Sequence, residues 1–189
     1  MAKSPPLPPK LEAVLIRLGK AANLNVTQAV KLPYIVDVIA IHVLGEPITE
    51  GHHEAWDKGV VTSEVWHHLT KSQGSPVFHL EPVPWSEERK LVVDAQGDTS
   101  ALTPAQAELV DVVAQQFGGI RAGDLGRLTK LMNPEIGTWG SNRRADLTES
   151  AFERLSDEYQ VMAEAVAALT LDELRRDYEV VEDIEEALA

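Results

Sequence analysis

Cysteine is absent from all 189 residues. That absence removes disulfides, thiolate metal sites and thiol catalysis together. Aromatic residues make up only 5% of the chain, so each tryptophan and tyrosine has to be accounted for singly. No stretch of sequence approaches the roughly 18 consecutive apolar residues that mark a membrane helix. The opening "MAKSPPLPPK" has no apolar core of a secretory signal, and its prolines give a stiff lead-in. A cytoplasmic protein is the resulting expectation. G-x-S-x-G and the phosphate-cradling glycine motifs are also missing, so no catalytic residue and no cofactor is assigned.

Basic residues are scarce in one place. Residues 146–189 hold 3 Lys/Arg against 14 Asp/Glu, whereas residues 1–145 hold 14 and 16. Most of the net charge of −13 therefore belongs to the end of the chain. A phosphate backbone is repelled by such a segment and a basic protein surface is attracted to it. Direct nucleic-acid binding and membrane insertion are not expected.

The periodicity is that of a mainly α protein of α+β type. "LEAVLIRLGKAA" places Leu11, Val14, Leu15 and Leu18 at helical spacing. A second helix is expected in "KLPYIVDVIAIHVLG", capped by Thr27 or starting near Lys31, with Pro33 as boundary or kink and Gly45 as its stop. "EPITEGHHEAWDKG" reads as irregular or a short β segment. Thr62 or Ser63 starts the helix "SEVWHHL". "SPVFHLEPVPW", interrupted by three prolines, allows edge strands at best, and "KLVVDAQGD" reads as a strand and turn. Thr103 and Pro104 open a clean helix that Gly118-Gly119 end, and "RAGDLGRLTKLM" is a shorter one. Two more helices are expected after Thr148 and Thr170. The organisation is a lead-in over 1–9, a compact helical domain with a small central β element over 10–145, and an acidic helical extension over 146–189.

Histidines invite a metal site: His42, His52, His53, His67, His68 and His79. Adjacent histidines on a helix diverge by about 100°, and "HHEAW" lacks the second histidine one turn on that a zinc protease helix needs. No metal ligand is assigned. Asp124 and Glu64 read as first-turn helix acids. Trp56, Trp66, Trp85 and Trp139 suit core or interface anchors with bonded indole N–H groups better than a ligand cage. In the last helix Leu171, Leu174, Tyr178, Val181, Ile184 and Leu188 form one apolar stripe, with Asp177, Glu179, Glu182, Asp183 and Glu186 away from it. Such a helix suits either its own domain or the groove of a basic partner.

Residues 31–71 read together resemble the Panacea domain, the family of SocA-like antitoxins and phage-associated GepA-like proteins. The resemblance rests on "KLPY" (Lys31 to Tyr34), Gly45 with Pro47-Ile48, "AWDKGVV" with Trp56 and Gly59, and "SEVWHHL" with Ser63, Glu64 and Trp66. It continues in Leu125, Leu128-Thr129 and Trp139. Departures are Pro33 for a usual leucine, Val60 for the turn proline and Lys130 for a histidine. The resemblance implies an antitoxin that binds and neutralises a cognate protein toxin, and for SocA-like members an adaptor delivering that toxin to a Clp protease. Within this reading the partner-binding residues are Leu174, Tyr178, Val181, Ile184, Asp177, Glu182 and Asp183, and the toxin is basic. Alternatives are a non-antitoxin phage or mobile-element regulatory binding protein and a histidine-based metal protein.

Overall fold

The computed structural model describes residues 6–71, 77–94, 97–133, 144–145, 147 and 151–155. Trp139 and the stripe Leu171–Leu188 with its acids lie outside the described residues. Among the described residues the helices and two antiparallel hairpins are arranged around one core, so the chain is mainly α with a small β element: α1 (Pro9–Ala21), α2 (Val26–Leu44), β1 (His53–Trp56), β2 (Gly59–Thr62), α3 (Ser63–Lys71), β3 (Phe78–Pro82), β4 (Arg89–Val93), α4 (Pro104–Phe117) and α5 (Ala122–Leu131). Residues 151–155 are helical too.

Helix α2 is the axis. Every residue from Gln28 to Ala40 is buried, and α1, α3, α4, α5, β2 and β4 all pack on it. A helix apolar on most sides belongs inside a protein or a bilayer; here protein surrounds it. Pro33 neither starts nor ends it: the helix runs through. An interior proline costs roughly 3 kcal/mol, and burial of a few large aliphatic side chains at about 2 kcal/mol each offsets that.

The cap of α2 is not Thr27. Asn25 accepts from the Gln28 backbone N–H at 2.9 Å while the Gln28 side chain accepts from the Asn25 N–H at 2.8 Å. This capping box begins the helix at Val26, before the expected start. The other end is as expected, with Gly45 left-handed at φ 78°. Helix α4 carries a second box, Thr103 with Gln106, and proline at its first position. The predicted stripe of α1 is buried throughout, and Arg17 pairs bidentately with Asp111 to tie α1 to α4.

Both hairpins are rooted in this core. In β3–β4, Phe78 and Leu91 are buried, and the Leu91 N–H bonds the Leu24 carbonyl at 2.8 Å. The core also continues past residue 145, because Ala151, Phe152 and Leu155 are buried in it, with Phe152 stacked on His42.

The caps give a direct check. Asn25→Ala is expected to cost about 1 kcal/mol in urea unfolding, and Thr27→Ala less than about 0.5 kcal/mol. Equal costs would refute the assignment of Asn25.

Candidate functional site

The residues singled out by the motif converge on the β1–β2 hairpin, which is held between α2 and α5. Ser63 N–H bonds the His52 carbonyl at 2.9 Å, and His53 pairs with Thr62 and Ala55 with Val60 across the ladder. Antiparallel pairs alternate between bonded and non-bonded. The backbone groups of Val60 and His53 therefore point out of the hairpin and need other partners.

Each finds one. Thr129 Oγ1 accepts from the Val60 N–H at 3.0 Å, and its own hydroxyl donates to the Gly126 carbonyl at 3.1 Å. Lys31 Nζ donates to the Val60 carbonyl at 2.9 Å. The Ala145 N–H donates to the His53 carbonyl. Lys31 is 1% exposed. Burial, with a smaller push from the Lys130 charge, lowers its pKa to about 8.

Close approach of hairpin to helix needs two glycines. Gly59 has φ 101°, and a Cβ there would lie 2.5 Å from Thr129 Oγ1 and 2.7 Å from the Gly126 carbonyl oxygen. A Cβ on Gly126 would lie 2.6 Å from the Lys58 carbonyl oxygen. Gly59 thus does more than turn the chain: it lets the strand touch α5.

On the other side stands Asp37, 1% exposed. Its Oδ1 accepts from the Ile48 and Thr49 N–H groups at 2.8 Å each. Its Oδ2 accepts from Thr49 Oγ1 at 2.5 Å and bonds His53 Nε2 at 2.8 Å. His53 Nδ1 meets Thr62 Oγ1 at 3.0 Å. Because the Asp37 carboxylate only accepts, Nε2 of His53 is the donor in their bond. The ring of Tyr34 stands edge-on to His53, and Asn133 Nδ2 donates to the Tyr34 hydroxyl at 2.9 Å and to the Thr129 carbonyl at 2.8 Å.

A hydroxyl, an imidazole and a carboxylate in a row have the look of a nucleophile relay. Here Thr62 is 0% and His53 3% exposed, and every site on the carboxylate is filled. No reactant reaches the row. It is a fastener joining α2, the 45–49 turn and the hairpin, and His53 was missed in that role because nothing in the sequence ties it to Asp37.

The remaining motif residues surround this centre. Glu64 accepts from the His52 N–H with both oxygens and pairs with the His52 ring. Burial works to raise the Glu64 pKa, but the His52 side-chain and backbone hydrogen bonds outweigh it, and the pKa falls. Ser63 Oγ contacts the His52 carbonyl oxygen. Trp56 and Trp66 pack edge to face with centroids 5.5 Å apart, and Trp56 Nε1 donates to Glu54 at 2.8 Å. Leu128 is buried beneath the hairpin, while Pro47 is exposed beside buried Ile48. Trp85 departs from this pattern: it is fully exposed at the β3–β4 turn. The histidines scatter, with His53 on Asp37, His52 on Glu64, His42 on Phe152, His68 on Phe78 and His79 beside Glu81 and Asp94. Among the described residues no three His, Asp or Glu side chains gather in metal-binding geometry.

Two substitutions probe this centre. Gly59→Ala should cost about 2–4 kcal/mol in urea unfolding, from the positive φ and the two clashes. For Lys31 the folded pKa lies below the unfolded one, so its proton is bound more tightly in the unfolded chain. Stability then rises with pH between about 8 and 10.5. From pH ~7.5 to ~10 the wild type should gain about 2 kcal/mol relative to Lys31→Met. A flat difference would refute the buried ammonium.

Among known proteins, the family described as antitoxin SocA-like, Panacea domain, matches residues 30–134. No curated protein and no solved structure matches the chain. The matched span runs from α2 through α5 and holds the Lys31, Asp37 and His53 fastenings, the Gly59–Gly126 contact and Thr129. With more than half of its length inside that match, the chain belongs to the SocA-like antitoxin family of Panacea-domain proteins.

Proposed function

We propose that this protein is an antitoxin that acts by binding: it forms a complex with a protein toxin encoded beside it and blocks that toxin. The observation that carries the reading is the closure of the motif centre. The polar residues that look most like chemistry are buried and bonded to one another. What they build is a scaffold, and a scaffold works through its surface. A non-enzymatic role is part of this proposal, with the cytoplasm as its proposed setting.

Charge selects the partner. A net charge of −13, concentrated in residues 146–189, favours a basic toxin and opposes direct contact with nucleic acid. Within the acidic segment, Leu174, Tyr178, Val181 and Ile184 supply an apolar stripe, with Asp177, Glu182 and Asp183 as the charged margin. Delivery of the captured toxin to a Clp protease fits the same architecture, one surface holding the toxin and another left for the protease.

Co-expression tests this. The product of the adjacent reading frame should arrest growth alone and should be rescued by, and co-purify with, this chain. If it is harmless alone and unbound, the reading fails. Raising salt from ~50 to ~500 mM should slow association by about tenfold or more if the acidic segment steers encounter. Truncation after residue 170 should weaken capture without lowering the solubility of the rest.

A further inference from the structure

On a chain of net charge −13, the outer face of α5 carries an excess of positive charge. Two open hollows of about 420 Å³ each flank this helix. One lies toward the α4–α5 connection, lined by Ile120, Leu128 and Leu131 together with Arg121 and Arg127. The other lies toward α2 and the β1–β2 turn, where Lys58, Arg127 and Lys130 stand beside Thr27. Arg127 is the ridge between them. The four cations face two acids: Asp124, which Arg121 and Arg127 already hold, and Asp57 next to Lys58. With both acids counted the face stays positive. Its field reaches inward, since after burial it is the Lys130 charge that lowers the Lys31 pKa. Leu131, 53% exposed, leaves a large apolar side chain at the edge of the cationic hollow.

The same chain carries the counterpart of this face and delivers it nearby. Arg154 Nη1 donates to the carbonyl of Met132, the C-cap of α5, at 3.1 Å, and Leu155 is buried in the core. Residue 155 therefore lies close to the C-terminal end of α5. Beyond it, residues 171–189 hold eight Asp/Glu against Arg175 and Arg176, with Leu174, Tyr178, Val181 and Ile184 as an apolar stripe. An apolar stripe edged by acids matches an apolar hollow edged by guanidinium and ammonium groups. The connection over 156–170 reaches about 22 Å as a helix and about 50 Å extended. Either length covers α5, a helix about 15 Å long. Tethering of this kind gives an effective concentration on the order of millimolar, which favours the chain's own segment over that of a second copy.

We propose that the α5 face is an internal docking site for the acidic segment 171–189 of the same chain. The stripe lies on Ile120, Leu128 and Leu131, and the carboxylates pair with Arg121, Arg127, Lys130 and Lys58. The contact holds the acidic segment against its own domain until a partner with a stronger positive field takes it. Docking needs no toxin; only the displacement by a basic toxin rests on the antitoxin reading above.

The test uses the full chain. Because it has no cysteine, Ala187→Cys offers a single attachment point for a nitroxide spin label. The label should broaden the amide signals of α5, Gly123 and Gly126 among them, and leave those of α1 sharp. Raising salt from ~50 to ~500 mM should restore them. An arginine-specific protease should cut after Arg175 or Arg176 about tenfold faster in Arg127→Glu with Lys130→Glu than in the wild type. Adding Glu182→Lys with Asp183→Lys to that variant should restore protection. Should the reversed groove lower the melting temperature, Arg127→Gln with Lys130→Gln carries the same comparison. Sharp α5 signals at low salt, or equal cleavage of variant and wild type, overturn the docking. So does broadening seen only when label and isotope sit on different copies, which makes a second copy the occupant. Adding the toxin product of the adjacent reading frame should sharpen the α5 signals. Toxin that binds while they stay broad overturns the displacement, and toxin that does not bind removes the antitoxin reading while the docking stands.

Discussion

A carboxylate buried in the middle of an apolar helix has to be bonded on every side, and the folding of this protein's central region follows from meeting that requirement at Asp37. Two backbone N–H groups from the turn after α2, one hydroxyl and one imidazole surround it. The turn must fold back over α2 to bring the Ile48 and Thr49 amides, and β1 must cross it to bring His53. An unmet buried charge costs several kcal/mol, so the three segments are ordered together or not at all. Gly45, Pro47 and Ile48 gain their meaning here: a left-handed stop, a rigid step and an anchored side chain that aim two amides at one carboxylate.

The second constraint is contact between backbones. Hairpin β1–β2 is only four residues a side, and such a hairpin is marginal alone. It is held by matching the outward groups of Val60 to Thr129 and Lys31, at a separation that a Cβ on Gly59 or Gly126 would forbid. Lys31 is the costly member, since its ammonium is desolvated and, among the described residues, bonds only the Val60 carbonyl. That cost is tolerated because the lysine reaches, from the neighbouring helix, a strand carbonyl that would otherwise lie buried and unbonded.

With the motif residues bonded to one another inside, the proposed antitoxin role leaves recognition to the surface. In that proposal the negative charge concentrated in residues 146–189 steers a basic partner from a distance, a task that most protein interfaces keep separate from anchoring by buried aromatic groups.

The helices were legible because their signals are local. The stripe of α1, the Thr103–Pro104 start of α4 and the Gly45 stop depend on residues within a few positions of each other. The start of α2 is equally local, but it is set by the Asn25–Gln28 box and not by the expected Thr27. Composition by itself fixed the exclusion of thiol chemistry, and charge order fixed the acidic end. What only the tertiary structure decided were meetings across long separations: Asp37 with His53, Thr129 with Val60, Gly59 with Gly126, and the unbroken passage of α2 through Pro33. No local propensity encodes these, because each is driven by the need to satisfy a buried polar group or fill space beside it once the helices pack. Trp85 shows the converse. Its residue type favoured burial, and only the turn geometry, proline followed by a positive φ at the end of a rooted hairpin, placed it in solvent.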